Sequence, residues 1–364
     1  MDRDSRAGLI LTPAGWLRGR IRFAEQVLAL EPDGAVPPDC RILPGFIDLH
    51  VHGGGGFDCM DGAAATRGLA GFHARHGTTA LLATTVTAPG ADLVAAVAGI
   101  GAVAASPQAG EARVVGVHLE GPFINPGVLG AQPPFAIPPD LDLVRELLAL
   151  APMRVVTMAP EIDPDGVLLR CFVEAGVRVQ LGHTAASYEQ ATAALRAGAS
   201  GFTHLFNAMS ALHHRQPGTA GAALAHAHRT EIILDLLHVA PGAVLAAARA
   251  IPEPYAVTDA AAPAGMPDGR YSLGRHTVLK QGDTVRLTDG TLASSVLTMD
   301  RALLNLLALG LPLETAALWL STRPADHLGL ADRGRLAPGT RADLVVVDGQ
   351  GRLVEVLIEG EPVP

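Results

Sequence analysis

One short apolar run ends in Asp48-Leu49-His50-Val51-His52. Side chains alternate along a strand, so His50 and His52 face the same way, and two imidazoles so placed can share one metal ion. A second run ends in Gly116-Val117-His118-Leu119-Glu120. A lone carboxylate there is costly to bury unless it is paired or metal-bound. Glu120 is therefore read as a ligand able to bridge two ions, with a salt-bridged core glutamate as the alternative. His118 has the same parity, one step deeper, and reads as a supporting or packing histidine. His183, in Leu181-Gly182-His183-Thr184, and His204, in Thr203-His204-Leu205, end two more runs; imidazole nitrogen suits Zn²⁺, Fe²⁺ or Co²⁺. Asp259, in Val257-Thr258-Asp259-Ala260, could take a proton from a metal-activated water and hand it to a leaving group, where a plain helix N-cap is the alternative. Arg215 follows His213-His214 and could fork onto phosphate or carboxylate, helped by His238, or could simply be a solvated loop arginine. His73, His76, His226, His228, His276 and His327 are read as surface or packing residues.

These groups share a position: each closes a short β-rich run that an Ala/Leu-rich helical stretch follows. The runs are Gly45 to His52, Thr78 to Val86, Val114 to Glu120, Arg154 to Pro160, Arg178 to His183, Gly201 to Asn207, Glu231 to His238 and Tyr255 to Asp259. Eight strands alternating with helices such as Leu141 to Leu150 and Tyr188 to Ala197 predict a parallel (β/α)8 TIM-like barrel, in which reactive groups sit at the C-terminal strand ends. The two ends of the chain differ. Residues 8–44 and 336–364 carry hairpin-like β runs separated by Gly and Pro turns. They predict one small β domain, a sandwich, assembled from residues 1–44 and 336–364, with the barrel over 45–335. Residues 270–297 read as an irregular, turn-rich loop over the barrel mouth, followed by a helix from Met299 to Gly310.

Composition removes other classes. Apolar residues are 49% and charged residues 17% of 364, which excludes a disordered chain or a coiled coil. A net charge of −9 argues against a nucleic-acid or anionic-membrane binder. Cys40, Cys59 and Cys171 lie far apart with no CxxC pair, which suits a reducing cytoplasm. The charged start, Met1-Asp2-Arg3-Asp4, predicts no signal peptide, and the 13-residue apolar stretch Leu93 to Ala105 is too short to span a bilayer. Lys280 is the sole lysine and sits in a poor setting for phosphate binding, Schiff-base chemistry or a carbamylated metal bridge.

Taken together, Pro44-Gly45-Phe46-Ile47-Asp48 with its His-x-His, His118-Leu119-Glu120-Gly121-Pro122, Gly182-His183-Thr184, Thr203-His204-Leu205-Phe206-Asn207-Ala208-Met209 and Val257-Thr258-Asp259-Ala260 resemble the N-acetylglucosamine-6-phosphate deacetylase family of the amidohydrolase superfamily. The resemblance runs in order along nearly the whole chain. It implies a metal-dependent hydrolase that releases acetate from N-acetylglucosamine 6-phosphate, with one or two divalent ions, Zn²⁺ or Fe²⁺, and a homodimer. Position by position it makes Glu120, His183 and His204 metal ligands, His50 and His52 ligands of a second ion, and Asp259 the general base and acid. It places Asn207, Ala208, Arg215 and His238 on the sugar phosphate, with Ala131 and Leu292-Ala293-Ser294 nearby. Three substrate-facing positions depart from the family pattern. Gln132 stands where many members have a histidine, Leu236 where they have glycine after Asp235, and Ala293-Ser294 where they have a Gly-Ser step. The departures at Gln132 and Leu236 motivate one rival, an amidohydrolase for another N-acyl amino sugar or a cyclic amide. A second, from another class, is a non-catalytic relative, against which the intact His50, His52, Glu120, His183, His204 and Asp259 argue.

Overall fold

The computed structural model describes residues 4–364; Met1-Asp2-Arg3, in the charged start, lie outside the described residues. The eight predicted runs all form strands: Phe46–Val51, Thr78–Thr85, Arg113–Glu120, Met153–Met158, Arg178–Leu181, Gly201–Phe202, Arg229–Ile233 and Glu253–Val257. The first six pair in parallel and in chain order, and the seventh pairs in parallel with the eighth. Two seams close the ring. Leu205 N donates to Glu231 O at 3.0 Å on one side, and Asp259 N to His50 O at 2.9 Å on the other. Both seams run through strand ends, so sealing the barrel also fixes the residues at its rim.

The strands read as continuous apolar runs because both faces are buried. Ile47, Leu49, Leu82, Val155, Ile233, Tyr255 and Val257 fill the interior. Neighbours of opposite parity, such as Leu81, Val117, Val156 and Ile232, pack against the outer helices. Two of those helices start where polar side chains satisfy their first N–H groups. Asp140 accepts from Asp142 N and Leu143 N ahead of Leu141–Leu150, and Ser187 with Gln190 forms a reciprocal capping box ahead of Tyr188–Arg196.

Both ends of the chain enter one seven-stranded sheet. It joins Ser5–Thr12, Gly15–Phe23, Val27–Pro32 and Arg41–Pro44 to Leu344–Val347, Leu353–Ile358 and Glu361–Pro362. The sheet curls around Ile10, Ile21, Phe23, Ile42, Leu344 and Leu357. Its far strand comes back to the segment before Leu344, where Val27 N donates to Thr340 O at 2.8 Å and Ala342 N to Glu25 O at 3.0 Å.

One expectation needs correction. Residues 270–297 are not an irregular loop throughout, because Gly269–Leu273, His276–Gln281 and Thr284–Leu287 form an antiparallel three-stranded flap. Its strands are short, and the turns at Gly274 and Gly282, with φ of +52° and +57°, break the pattern that would announce them. Leu273, Val278 and Val285 are buried in an apolar cluster, with Tyr271 and Leu287 half-buried against it. The flap is anchored by Gly274 N donating to Asp58 Oδ2 at 3.0 Å and Arg275 Nε to Asp92 Oδ2 at 2.9 Å. Lys280 belongs to it and pairs with Asp268 at 2.9 Å.

Candidate metal centre at the barrel mouth

The strand ends bring the six chemistry-bearing residues into one place. Glu120 Oε1 lies 3.1 Å from both His183 Nε2 and His204 Nε2, and those two nitrogens are 3.1 Å apart. Beside this triangle, His50 Nε2 and His52 Nε2 are 3.2 Å apart. Asp259 Oδ1 lies 3.6 Å from His50 Nε2 and 3.3 Å from His52 Nε2. The other oxygen of Glu120, Oε2, is 3.3 Å from His52 Nε2 and 3.6 Å from His50 Nε2. Glu120 thus stands between two clusters and turns one oxygen to each.

The outer nitrogens of three imidazoles show which way their lone pairs point. His50 Nδ1 meets Glu231 Oε1 at 2.7 Å, His52 Nδ1 meets Thr84 O at 2.9 Å, and His183 Nδ1 meets Val128 O at 3.2 Å. Each partner is an acceptor, so Nδ1 carries the proton and Nε2 presents a lone pair to the cluster. Lone pairs on His50 and His52 then face each other and face two carboxylates, an arrangement that only added positive charge relieves. Three donor atoms 3.1 Å apart also match the spacing of about 3.3 Å between tetrahedral ligands held about 2.0 Å from one centre. The residues therefore fit a divalent cation.

The electrostatics agree. Burial lowers the His50 imidazole, but the charges of Glu120, Asp259 and Glu231 outweigh it and hold its pKa well above the ordinary value. His52 is likewise pulled down by burial, then raised by Asp259 and Glu120 to about 9. Burial pushes Glu120 and Asp259 up. The charge of His50 and the imidazole hydrogen bonds reverse this, leaving Glu120 well below the usual carboxylate range and Asp259 at about 2. The cluster draws positive charge strongly, whether as protons or as a metal ion.

The backbone at this rim is unusual. His183, His204, Ala208, Asp259 and Ser294 have φ between +31° and +59° and line one cavity of about 260 Å³. Left-handed backbone at non-glycine residues is costly and concentrates where function over-determines it. Asp259 is held there by its N–H on His50 O and by Ser294 Oγ, which donates to Asp259 O at 2.5 Å.

The same cavity is lined by His52, Glu120, Ala131, Gln132, Asn207, His238 and Leu292. His50 lies beneath it, fully buried. Two expected substrate residues are not brought to it. Ala293 packs under the flap with Val86, Leu273 and Val285, because its N–H pairs with Val285 O. Arg215 sits on an outer loop with its guanidinium on His214 Nε2 at 2.8 Å, in a groove beside Ser187 and Tyr188. Gln132 accepts from Thr87 N at 2.6 Å and donates to Glu120 Oε2, so it braces the carboxylate. His118 donates to Leu49 O at 3.0 Å and meets Thr157 Oγ1 at 2.7 Å, with its ring 4.6 Å from that of His50.

Sequence reasoning passed over several supports. Asp48 accepts from Thr258 Oγ1 at 2.6 Å, tying the first strand to the eighth below Asp259, and burial raises it to about 7. Asp235 takes His238 Nδ1 at 2.6 Å and two backbone N–H groups, which aims His238 at the cavity. Leu273 enters the lining from the flap and Thr291 from the turn that follows its last strand; the sequence concealed the course of both. Glu231 had a visible signal, a charge inside an apolar strand.

Residues 41–363 match the model of the amidohydrolase family. The chain is 39% identical to N-acetylgalactosamine-6-phosphate deacetylase from Escherichia coli O157:H7, over 99% of each protein. It is 38% identical to N-acetylglucosamine-6-phosphate deacetylase from Lysinibacillus sphaericus, over 92% of this chain and 88% of that one. The crystal structure of N-acetylglucosamine-6-phosphate deacetylase from Thermotoga maritima superposes with a TM-score of 0.92 at 31% identity, covering 99% of both chains.

Proposed function

Because the chain belongs to the amidohydrolase family, we propose that it hydrolyses the acetamide of N-acetylglucosamine 6-phosphate, giving glucosamine 6-phosphate and acetate. The observation that carries this reading is the pair of donor clusters sharing Glu120 at the floor of a cavity that also holds Asp259. A divalent ion there supplies Lewis acidity, polarising a carbonyl and lowering the pKa of water. Glu120, His183 and His204 would hold one ion, and His50, His52 and Asp259, with the second oxygen of Glu120, a second; Zn²⁺ and Fe²⁺ suit the donors. Asp259, ionised at neutral pH, takes the proton of the attacking water and then delivers it to the departing amine. Gln132 and Thr87 keep Glu120 aimed at both clusters. His238, fixed by Asp235, and Asn207 offer hydrogen bonds to the sugar phosphate from the wall.

A second sugar has a specific observation behind it, since a relative matching over 99% of both chains acts, by its name, on N-acetylgalactosamine 6-phosphate. Acetate release from both sugars, with and without phosphate, decides. The reading expects phosphorylated substrates to be preferred by kcat/KM and the gluco epimer to lead. A leading galacto epimer would transfer the assignment, and no acetate from either would remove it. We assign catalysis to residues 45–335 and a supporting role to the sheet from 1–44 and 336–364; the cavity lining falls between His52 and Ser294. We further propose a cytoplasmic homodimer. No helix among the described residues is long and apolar enough to cross a membrane, and Cys40, Cys59 and Cys171 are free thiols. Arg215 stays a proposed phosphate contact even though it lies outside its own chain's cavity. Its replacement by alanine should raise KM for the phosphorylated sugar and spare the unphosphorylated one.

A further inference from the structure

Glu231, on the seventh barrel strand, is fully buried and does not line the cavity. An unpartnered carboxylate in that place would be strongly destabilising, yet three groups from different strands converge on it. Its Oε1 accepts from His50 Nδ1 at 2.7 Å and from the backbone N–H of His204 at 3.0 Å. Its Oε2 takes Gln180 Nε2 at 3.4 Å, and Gln180 is braced by Tyr255 Oη at 3.1 Å. One oxygen therefore holds a side chain of one donor cluster and the backbone of the other.

Glu231, His50 and His118 lie close enough to resemble a cation site of their own. The hydrogen bonds argue otherwise. Both ring nitrogens of His118 are engaged, by Leu49 O and Thr157 Oγ1, and His50 cannot offer Nδ1 to a third ion while Nδ1 carries its proton. What remains is a carboxylate–imidazole pair aimed at the mouth. An imidazole with a carboxylate on its outer nitrogen is locked in one tautomer and one ring orientation, and its inner nitrogen becomes a better donor.

We propose that Glu231 is a positioning residue for a divalent ion at the His50–His52–Asp259 cluster. Its carboxylate fixes the proton of His50 on Nδ1 and leaves Nε2 free to bind. Through the backbone of His204, held at a φ of +31°, the same oxygen sets the register of the two clusters. The inference rests on the metal-dependent reading above and adds to it a residue that touches neither substrate nor ion.

The test uses the full-length protein, stripped of metal and titrated with Zn²⁺ against a chromophoric chelator, in wild type, Glu231→Leu, Glu231→Gln and His50→Ala. Wild type should bind two ions per chain. Glu231→Leu should keep the ion at Glu120, His183 and His204 and weaken the other about 100-fold, close to His50→Ala. Glu231→Gln, which retains one carbonyl oxygen for His50, should weaken it about 10-fold. Long-range ¹H–¹⁵N spectra of the Zn²⁺-loaded protein should show the Nδ1 proton of His50 far downfield and protected from exchange in wild type, and upfield and exchange-broadened in Glu231→Leu, a change that a merely structural role would not produce. If Glu231→Leu does not fold, Glu231→Gln decides alone. Unchanged affinity for the second ion in the folded variants, or a wild type that saturates at one ion, overturns the role of Glu231. A wild type that binds no metal overturns the metal-dependent reading itself.

Discussion

Beside the terminal sheet, Arg333 forks between Asp343 and Glu359, with Glu359 Oε1 2.5 Å from Arg333 Nη2, and Arg113 reaches the other oxygen of Glu359 at 2.7 Å. At the barrel mouth, Glu120 and Asp259 instead face imidazole nitrogens, and on His50, His52 and His183 the protons point away from them. Both clusters mix acid with base; Arg333 and Asp343 are buried and Glu359 and Arg113 half-buried in the first, and all of the second is buried. In the first, every carboxylate oxygen meets a permanent donor and the cluster is closed. In the second, acceptors converge on acceptors and the cluster is left open for a cation. A buried ion pair holds a fold together, whereas a convergence of lone pairs is costly to maintain and points to a ligand.

Changes on either side of this contrast should give opposite signatures. The largest effect is expected from Glu120→Gln, which removes the charge shared by both donor sets. Bound metal should fall away, and turnover should drop about 10³-fold or more, because Lewis-acid stabilisation is worth several kcal/mol. Metal analysis beside an acetate assay checks both. Asp259→Asn should cost about 10²- to 10⁴-fold in kcat while the ion at Glu120, His183 and His204 stays; near-wild-type turnover would remove Asp259 from proton transfer. Arg333→Met, in the closed cluster, should leave turnover per folded molecule unchanged. It should lower unfolding free energy by about 3–5 kcal/mol, because the buried Asp343 loses its cationic partner while Glu359 keeps Arg113, as denaturant titration would show.

Acid should separate the regions more gently. Burial pushes Glu359 up, but the hydrogen bonds from Arg113 and Arg333 bring it down to about 2. Its folded pKa is below its unfolded value of about 4.5. The stability it contributes is therefore present above pH 4.5 and is lost as pH falls from there towards about 2. Glu359→Gln should flatten that part of the stability curve. The smallest effect belongs to Arg352→Ala at the exposed Asp348 pair, where solvent screening should leave Tm unchanged.

Legibility in the sequence followed the same contrast. The eight barrel strands were readable because burial on both faces makes each a continuous apolar run, and the rim residues because each closes such a run. His52, Glu120, His183, His204 and Asp259 meet at the cavity from strand ends more than two hundred positions apart. The flap was not readable, since its strands of four to six residues bury only alternate side chains and turn on glycines. Glu231 and Asp48 were visible as charges inside apolar runs, but which partners they hold was not legible, because those partners come from other strands. Arg215 is the converse case: the resemblance assigns it to the sugar phosphate, and within its own chain the fold sets it on an outer loop, so its motif alone does not tell which cavity it would serve.

The central claim is tested most directly by anomalous diffraction at the absorption edge of the bound metal, from crystals of active protein. The account predicts a peak bounded by Glu120, His183 and His204, with a second beside His50, His52 and Asp259 when metal is in excess. Full activity in crystals with no peak inside this ring of side chains would contradict it.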